Sequence, residues 1–159
     1  MKTNFSVQFK TLEESLNYAI KQEEIAANLY EHLAKIAKTV QAREEFLNLV
    51  KMEKVHKKSL ESFSFESYDN RTKNHVYFNL GTTDALVEPT NKELSELSFT
   101  DSLILAAKRE HAAVLMYQKF ADMYSDDENL KNFFLNMVEE ESRHKYDIES
   151  KYEDIINER

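Results

Sequence analysis

Apolar residues in this chain return at alternating steps of four and three, a period that predicts helices. One stripe runs Leu12, Leu16, Ala19, Glu23, Ala26, Tyr30, Leu33, Ala37. It begins at Thr11-Leu-Glu-Glu14, a Thr-x-x-Glu capping box, and predicts a helix over residues 11 to about 38. A second stripe, Phe46, Leu49, Glu53, His56, Leu60, Phe63, predicts a helix over 42–63. A third starts near Ser98 to Asp101 and ends near Tyr124, with Leu103, Ala106, Glu110, Ala113, Tyr117, Phe120 and Tyr124 inward. The fourth opens at Ser125-Asp-Asp-Glu128, read as another capping box. It carries Leu130, Phe134, Met137, Glu141, His144, Ile148 and Ile155 on one face.

Short links join helices one and two, and helices three and four. Each pair is therefore expected to form an antiparallel hairpin, over 11–63 and 99–157. Residues 64–98 lie between them and hold the only glycine (Gly81), the only proline (Pro89) and a β-prone patch, His75-Val-Tyr-Phe. A connection that long suits a crossover running the length of a bundle, either as a covering loop or as a substrate lid, with some local structure of its own. The expectation is one all-α domain over residues 1–159.

The second hairpin repeats the first. Phe46-Leu-Asn-Leu-Val-Lys-Met-Glu53-Lys-Val-His56-Lys returns as Phe134-Leu-Asn-Met-Val-Glu-Glu-Glu141-Ser-Arg-His144-Lys, an offset of 144 − 56 = 88. Glu23, Ala26, Tyr30 and Ala34 return as Glu110, Ala113, Tyr117 and Ala121, an offset of 110 − 23 = 87. Each half supplies one lone Glu and one Glu-x-x-His pair, and together they make the ligand set of a two-metal carboxylate site in a four-helix bundle.

These acids lie where acids are costly. Glu23, Glu53, Glu110 and Glu141 interrupt apolar stripes, seven residues from other inward positions, and a step of seven returns to within about 20° of the same direction. Unpaired buried carboxylates cost several kcal/mol each. They are therefore protonated, partly solvated, or gathered around cations. Two divalent ions would balance four carboxylates, with His56 and His144 completing the shells. Oxygen and imidazole donors without thiolate suit iron or manganese, and also zinc. Tyr30 and Tyr117 follow the lone glutamates by seven and are expected to hydrogen-bond the carboxylates. His32, His75 and His111 read as surface residues, as do Glu24, Glu139 and Glu140; Glu140 can approach the site from its edge, but nothing in the sequence requires it.

Composition narrows the classes. The formal net charge of −8 argues against nucleic acid or an anionic membrane surface as the main partner. No apolar run approaches the roughly 18–20 residues of a membrane span. No apolar stretch follows Met1-Lys-Thr-Asn-Phe, so no secretory signal and a cytoplasmic location are expected. With no Cys, these residues form no disulfide and no thiolate-bound iron centre.

As a set, Glu23, Glu53-Lys-Val-His56, Glu110 and Glu141-Ser-Arg-His144 resemble a rubrerythrin-like member of the ferritin-like di-iron carboxylate superfamily. The resemblance implies a ferritin-like antiparallel four-helix bundle. It also implies that Glu53 and Glu141 bridge two iron ions, with Glu23 and His56 on one and Glu110 and His144 on the other. Full-length rubrerythrins add a Cys-rich electron-donor domain, absent from these residues, so an external donor protein is implied. They also carry an extra metal-binding Glu one turn beyond the lone Glu of the third helix. Ala113 stands there, making the site more symmetric, closer to that of bacterioferritin, and counting against peroxidase activity. Lys54 occupies the place of the haem-binding Met of bacterioferritins, so no haem is inferred.

The function this resemblance implies is reduction of hydrogen peroxide or dioxygen at a di-iron centre, in a homodimer or other small homo-oligomer. Three alternatives stand beside it. They are ferroxidase activity with iron storage, a di-manganese catalase-like centre, and a bundle that holds metal without catalysis.

Overall fold

The computed structural model describes residues 6–9, 11–63, 76–79 and 88–157. In chain order the elements are β1 (Ser6–Phe9), α1 (Leu12–Ile36), α2 (Val40–Glu61), β2 (Val76–Asn79), α3 (Asn91–Glu96), α4 (Phe99–Met123) and α5 (Glu128–Asn157). The four long helices are those the apolar stripes predict, arranged as a ferritin-like helical bundle.

Side-chain caps fix where each helix starts. Glu14 N–H donates to Thr11 Oγ1 at 3.1 Å, and Asp101 N–H to Ser98 Oγ at 3.0 Å, as the sequence suggests. Thr39 accepts from Ala42 N–H at 3.1 Å, so α2 begins at Val40, earlier than the apolar stripe alone indicates, and it closes at Glu61. The start of the last helix is a correction. Ser125 is not its cap, because Ser125 N–H still bonds Asp122 O and Asp127 N–H bonds Tyr124 O in the turn that closes α4. The helix starts at Glu128, Lys131 N–H bonds Asp127 O, and the Asp127 carboxylate accepts from Leu130 N–H at 3.1 Å, so Asp127 is the cap.

The helix directions follow from which ends share a core. One apolar cluster joins Leu12 and Leu16 at the start of α1 with Leu60 at the end of α2. The same cluster takes in Met116 and Phe120 at the end of α4, and Leu130 and Phe134 at the start of α5. A second cluster joins Leu29 and Leu33 with Phe46 and Leu49, Leu103 and Ala106, and Ile148. Thus α1 and α2 are antiparallel, as are α4 and α5, and α1 is antiparallel to α4. The chain between α2 and α4 must pass from one end of the bundle to the other, as its length suggests.

Two pieces of that connection take form. β2 overlaps the β-prone patch and pairs antiparallel with β1, Ser6 opposite Asn79 and Phe9 opposite Val76. This ribbon was not specified by the helical period. Phe9 ties it to the bundle, buried with its ring edge-on to Phe120 (5.3 Å) and Tyr18 (5.2 Å). The short helix α3, capped by Thr90, precedes α4. The covering-loop or lid reading of 64–75 and 80–87, and that of His75, lie outside the described residues. No helix among the described residues is long and apolar enough to cross a membrane.

Candidate metal centre

Between the two apolar clusters lies a polar layer. Glu23 on α1, Glu53 and His56 on α2, Glu110 on α4, and Glu141 and His144 on α5 are all buried, none more than 5% exposed. Each reaches the interior because it replaces an apolar residue at a stripe position, so the helical period that builds the core also aims the ligands. The structure brings together all six residues singled out in the sequence, in two overlapping sets. Glu23, Glu53, His56 and Glu141 present one ligand atom each within 4.8 Å of one another, and so do Glu53, Glu110, Glu141 and His144. Glu53 and Glu141 belong to both.

The contacts cross between the halves. His56 Nδ1 lies 2.9 Å from Glu141 Oε1, closer than the 3.7 Å to Glu53 Oε2 on its own helix. His144 Nδ1 mirrors this, 3.0 Å from Glu53 Oε1 and 3.5 Å from Glu141 Oε2. The imidazole rings stack, with centroids 5.4 Å apart and planes at 17°. The Tyr117 hydroxyl donates to Glu23 Oε1 at 2.5 Å, and the Tyr30 hydroxyl donates to Glu110 Oε1. Each tyrosine thus serves the lone glutamate of the other half.

Electrostatics make this layer costly without cations. Burial, then the charges of Glu23 and Glu110, push the Glu53 carboxyl well above the usual range. Burial, then Glu141, does the same to Glu110, and burial with Glu53 and Glu23 raises Glu141. Burial would also raise Glu23, but its interactions with Glu53, His56 and Tyr117 outweigh it and hold that carboxyl below its ordinary value. Burial disfavours the imidazolium forms, yet the surrounding carboxylates overcome it. His56 is held far above the histidine range, and His144 is pushed up to about 11. Burial and neighbouring carboxylates also keep both tyrosines protonated.

The donors fit divalent metal. Glu23 Oε2 and Glu110 Oε2, one from each half, are buried with no hydrogen-bond partner among the described residues. Buried acceptors left in this way call for cations or protons. They line a small cavity with Glu53, Glu141, Ala26 and Ala113, about 20 Å³, room for one water-sized molecule. Ala113 lines that space with a methyl group, where a longer side chain would fill it.

Several neighbours were not read from sequence as parts of the site. Arg109 is buried beside the same cavity, and its guanidinium donates to Gln22 Oε1 at 2.9 Å. Glu140, read as solvated, hydrogen-bonds His56 Nε2. Met52 places Sδ 3.2 Å from His144 Nε2. The repeat held the signal, because Gln22 and Arg109 are counterparts (109 − 22 = 87), and so are Met52 and Glu140 (140 − 52 = 88). Of the remaining histidines, His111 is exposed and 3.2 Å from Lys145 Nζ. His32 is half-buried on a separate cavity beside α3, away from the cluster.

Comparison with known proteins agrees with this geometry. No curated protein matches the sequence. The chain is similar to a solved hypothetical protein of Pyrococcus furiosus, 26% identical, with a TM-score of 0.71 over 92% of this chain and 91% of that one. The rubrerythrin family model matches residues 14–98, which include Glu23, Glu53 and His56; the repeat supplies their partners in the second half. The buried cluster fits a di-iron site, and the chain belongs to the rubrerythrin family.

Proposed function

We propose that this protein is a di-iron oxidoreductase that reduces hydrogen peroxide or dioxygen, drawing its electrons from a separate donor protein. The observation that carries this reading is the sharing of Glu53 and Glu141 between two ligand sets, the arrangement needed to hold two ions side by side. Glu23 and His56 complete one set, and Glu110 and His144 the other. Iron held there would supply two electrons, which with two protons would take hydrogen peroxide to two waters or dioxygen to hydrogen peroxide, and the donor would then restore them.

The chain's residues do the rest. Tyr117 and Tyr30 fix the rotamers of Glu23 and Glu110 by holding one oxygen of each, leaving Oε2 for a cation. Their protons are held tightly, so they act as donors of fixed hydrogen bonds and not as a proton supply. Ala26 and Ala113, small side chains at matching places, line the small cavity beside the four glutamates, the side from which a small oxidant would approach. The apolar clusters on either side exclude bulk water. A separate reductant and a homodimer or other small homo-oligomer complete the proposal.

The test is anaerobic loading with ferrous iron, metal quantification, and rapid mixing with peroxide and with oxygen in parallel. Two irons per chain and oxidation faster than that of free ferrous ion are expected. No acceleration with either oxidant sinks the proposal. Glu53→Ala and Glu141→Ala should each lose both ions. Light scattering that found a closed shell would move the reading to iron storage.

A further inference from the structure

The two halves of the centre match closely. Glu23 pairs with Glu110, Glu53 with Glu141 and Tyr117 with Tyr30, and the closest carboxylate oxygens to the two Nδ1 atoms lie at 2.9 and 3.0 Å. They differ at the outward nitrogen of each histidine. Both Nδ1 atoms face the carboxylates, and both Nε2 atoms face the outer side of the α2–α5 pair. There His56 meets the Glu140 carboxylate and His144 meets the Met52 thioether. We propose that this difference makes the two metal positions unequal: Glu140 is a positioning residue that gives the Glu23–His56 position the higher affinity, so that the centre fills in order.

The reason lies in imidazole chemistry. For Nδ1 to hold a cation it must offer its lone pair, so the single proton of the neutral ring sits on Nε2. The acceptor of that Nε2–H then fixes the tautomer, sets the ring angle and raises the basicity of Nδ1. A carboxylate does this strongly. A thioether sulfur 3.2 Å away is a weak acceptor and does it poorly. Glu140 also brings a negative charge to the His56 side, where its side chain is 45% exposed. The second break in the repeat acts in the same direction. Arg109 stands where the first half has Gln22, and its positive charge acts on Glu110 and Glu53. A cation at the Glu110–His144 position therefore meets a fixed charge of its own sign. Partly exposed Glu140 and Met52 bear no core load, so both can be changed with the fold intact.

This inference rests on the two-metal reading, and the experiment separates them. The metal-free full chain is titrated with manganous ion and followed by calorimetry and electron paramagnetic resonance. Below one equivalent, a six-line spectrum of isolated ions is expected, and the second equivalent converts it to a spin-coupled pair. Glu140→Gln should weaken the first step by about 10–100-fold and bring the two affinities together. Met52→Glu should strengthen the second step, with the ligands themselves unchanged. A coupled spectrum from the first addition, or two steps unmoved by Glu140→Gln and by Met52→Glu, overturns the inference while leaving the metal reading intact. Failure to bind two ions overturns both.

Discussion

Tyr117 on α4 donates its hydroxyl hydrogen to Glu23 Oε1 on α1 at 2.5 Å, and Tyr30 on α1 returns the bond to Glu110 on α4. Seven residues separate Glu23 from Tyr30, so the two share a stripe, but not a contact. Side chains on a helix lean toward its N-terminus. Because α1 and α4 are antiparallel, Tyr30 and Tyr117 approach the polar layer from opposite ends, and each leans back toward it. Each hydroxyl therefore lands on the glutamate of the neighbouring helix.

Tyr117→Phe should destabilise the metal-free protein. It leaves Glu23 Oε1 buried with no donor from Tyr117, a loss of about 1–3 kcal/mol. Tyr30→Phe should do the same through Glu110. Urea unfolding of the two variants checks this, and a change below about 0.5 kcal/mol in both would remove the tyrosines from the account of the layer.

Phe134→Ala should cost more, about 3–5 kcal/mol. Phe134 is fully buried and meets Phe120, Phe133, Tyr124 and Tyr117 at centroid distances of 5.4, 5.5, 5.9 and 6.3 Å. Its loss opens a cavity under the ring that holds Tyr117 against Glu23. The denaturation midpoint should fall with an unchanged slope. A midpoint within error of the parent would mean that this end of the bundle collapses around the gap.

Arg109→Gln should act in opposite directions on the metal-free and loaded protein. Burial pulls the Arg109 pKa below its ordinary value, but without ions the charges of Glu110 and Glu53 oppose that, so the guanidinium offsets part of the carboxylate charge and its removal should lower the stability of the metal-free protein. With ions bound, it is one positive charge too many. Thermal unfolding with and without divalent metal should show a larger metal-induced shift in the variant. An equal shift in both proteins would place Arg109 outside the electrostatics of the centre.

Most of the bundle was legible because one signal, the helical stripe, fixes both the core and the ligands. Glu53 and His56 could be placed indoors from their spacing to Phe46, Leu49 and Leu60. The repeat then made a second copy of the same chemistry hard to ascribe to chance. The β1–β2 ribbon was less legible. A four-residue strand has too few positions for a period, and its partner lies far away in sequence. The Ser125 cap failed because several capping residues stand in a row, and only the turn closing α4 decides which is free. Arg109 and Glu140 were missed for a common reason: a charged side chain at the margin of a stripe reads as solvated until the facing helix is known.

Metal loading should release protons, and affinity should rise with pH. In the metal-free protein, His144 is pushed up to about 11 and His56 higher still, while Glu53, Glu110 and Glu141 are raised above ordinary carboxyl values. At neutral pH the imidazoles therefore hold protons that compete with a cation for the same lone pairs. Each raised pKa works in one direction: the imidazoles stay protonated until the pH nears their raised values, so binding must displace those protons, and by mass action it weakens as the pH falls and tightens as it rises. Calorimetric titration with manganous ion in two buffers of different ionisation enthalpy should give different apparent heats, from which the released protons are counted. The bound state should also be the more stable one, by about 4 kcal/mol per position at a free ion concentration a thousand times the dissociation constant. A chelator should reverse that gain. Heats that do not depend on the buffer, together with an unfolding midpoint unmoved by chelation, would mean that the carboxylates and imidazoles of this layer neutralise one another without any need of an ion.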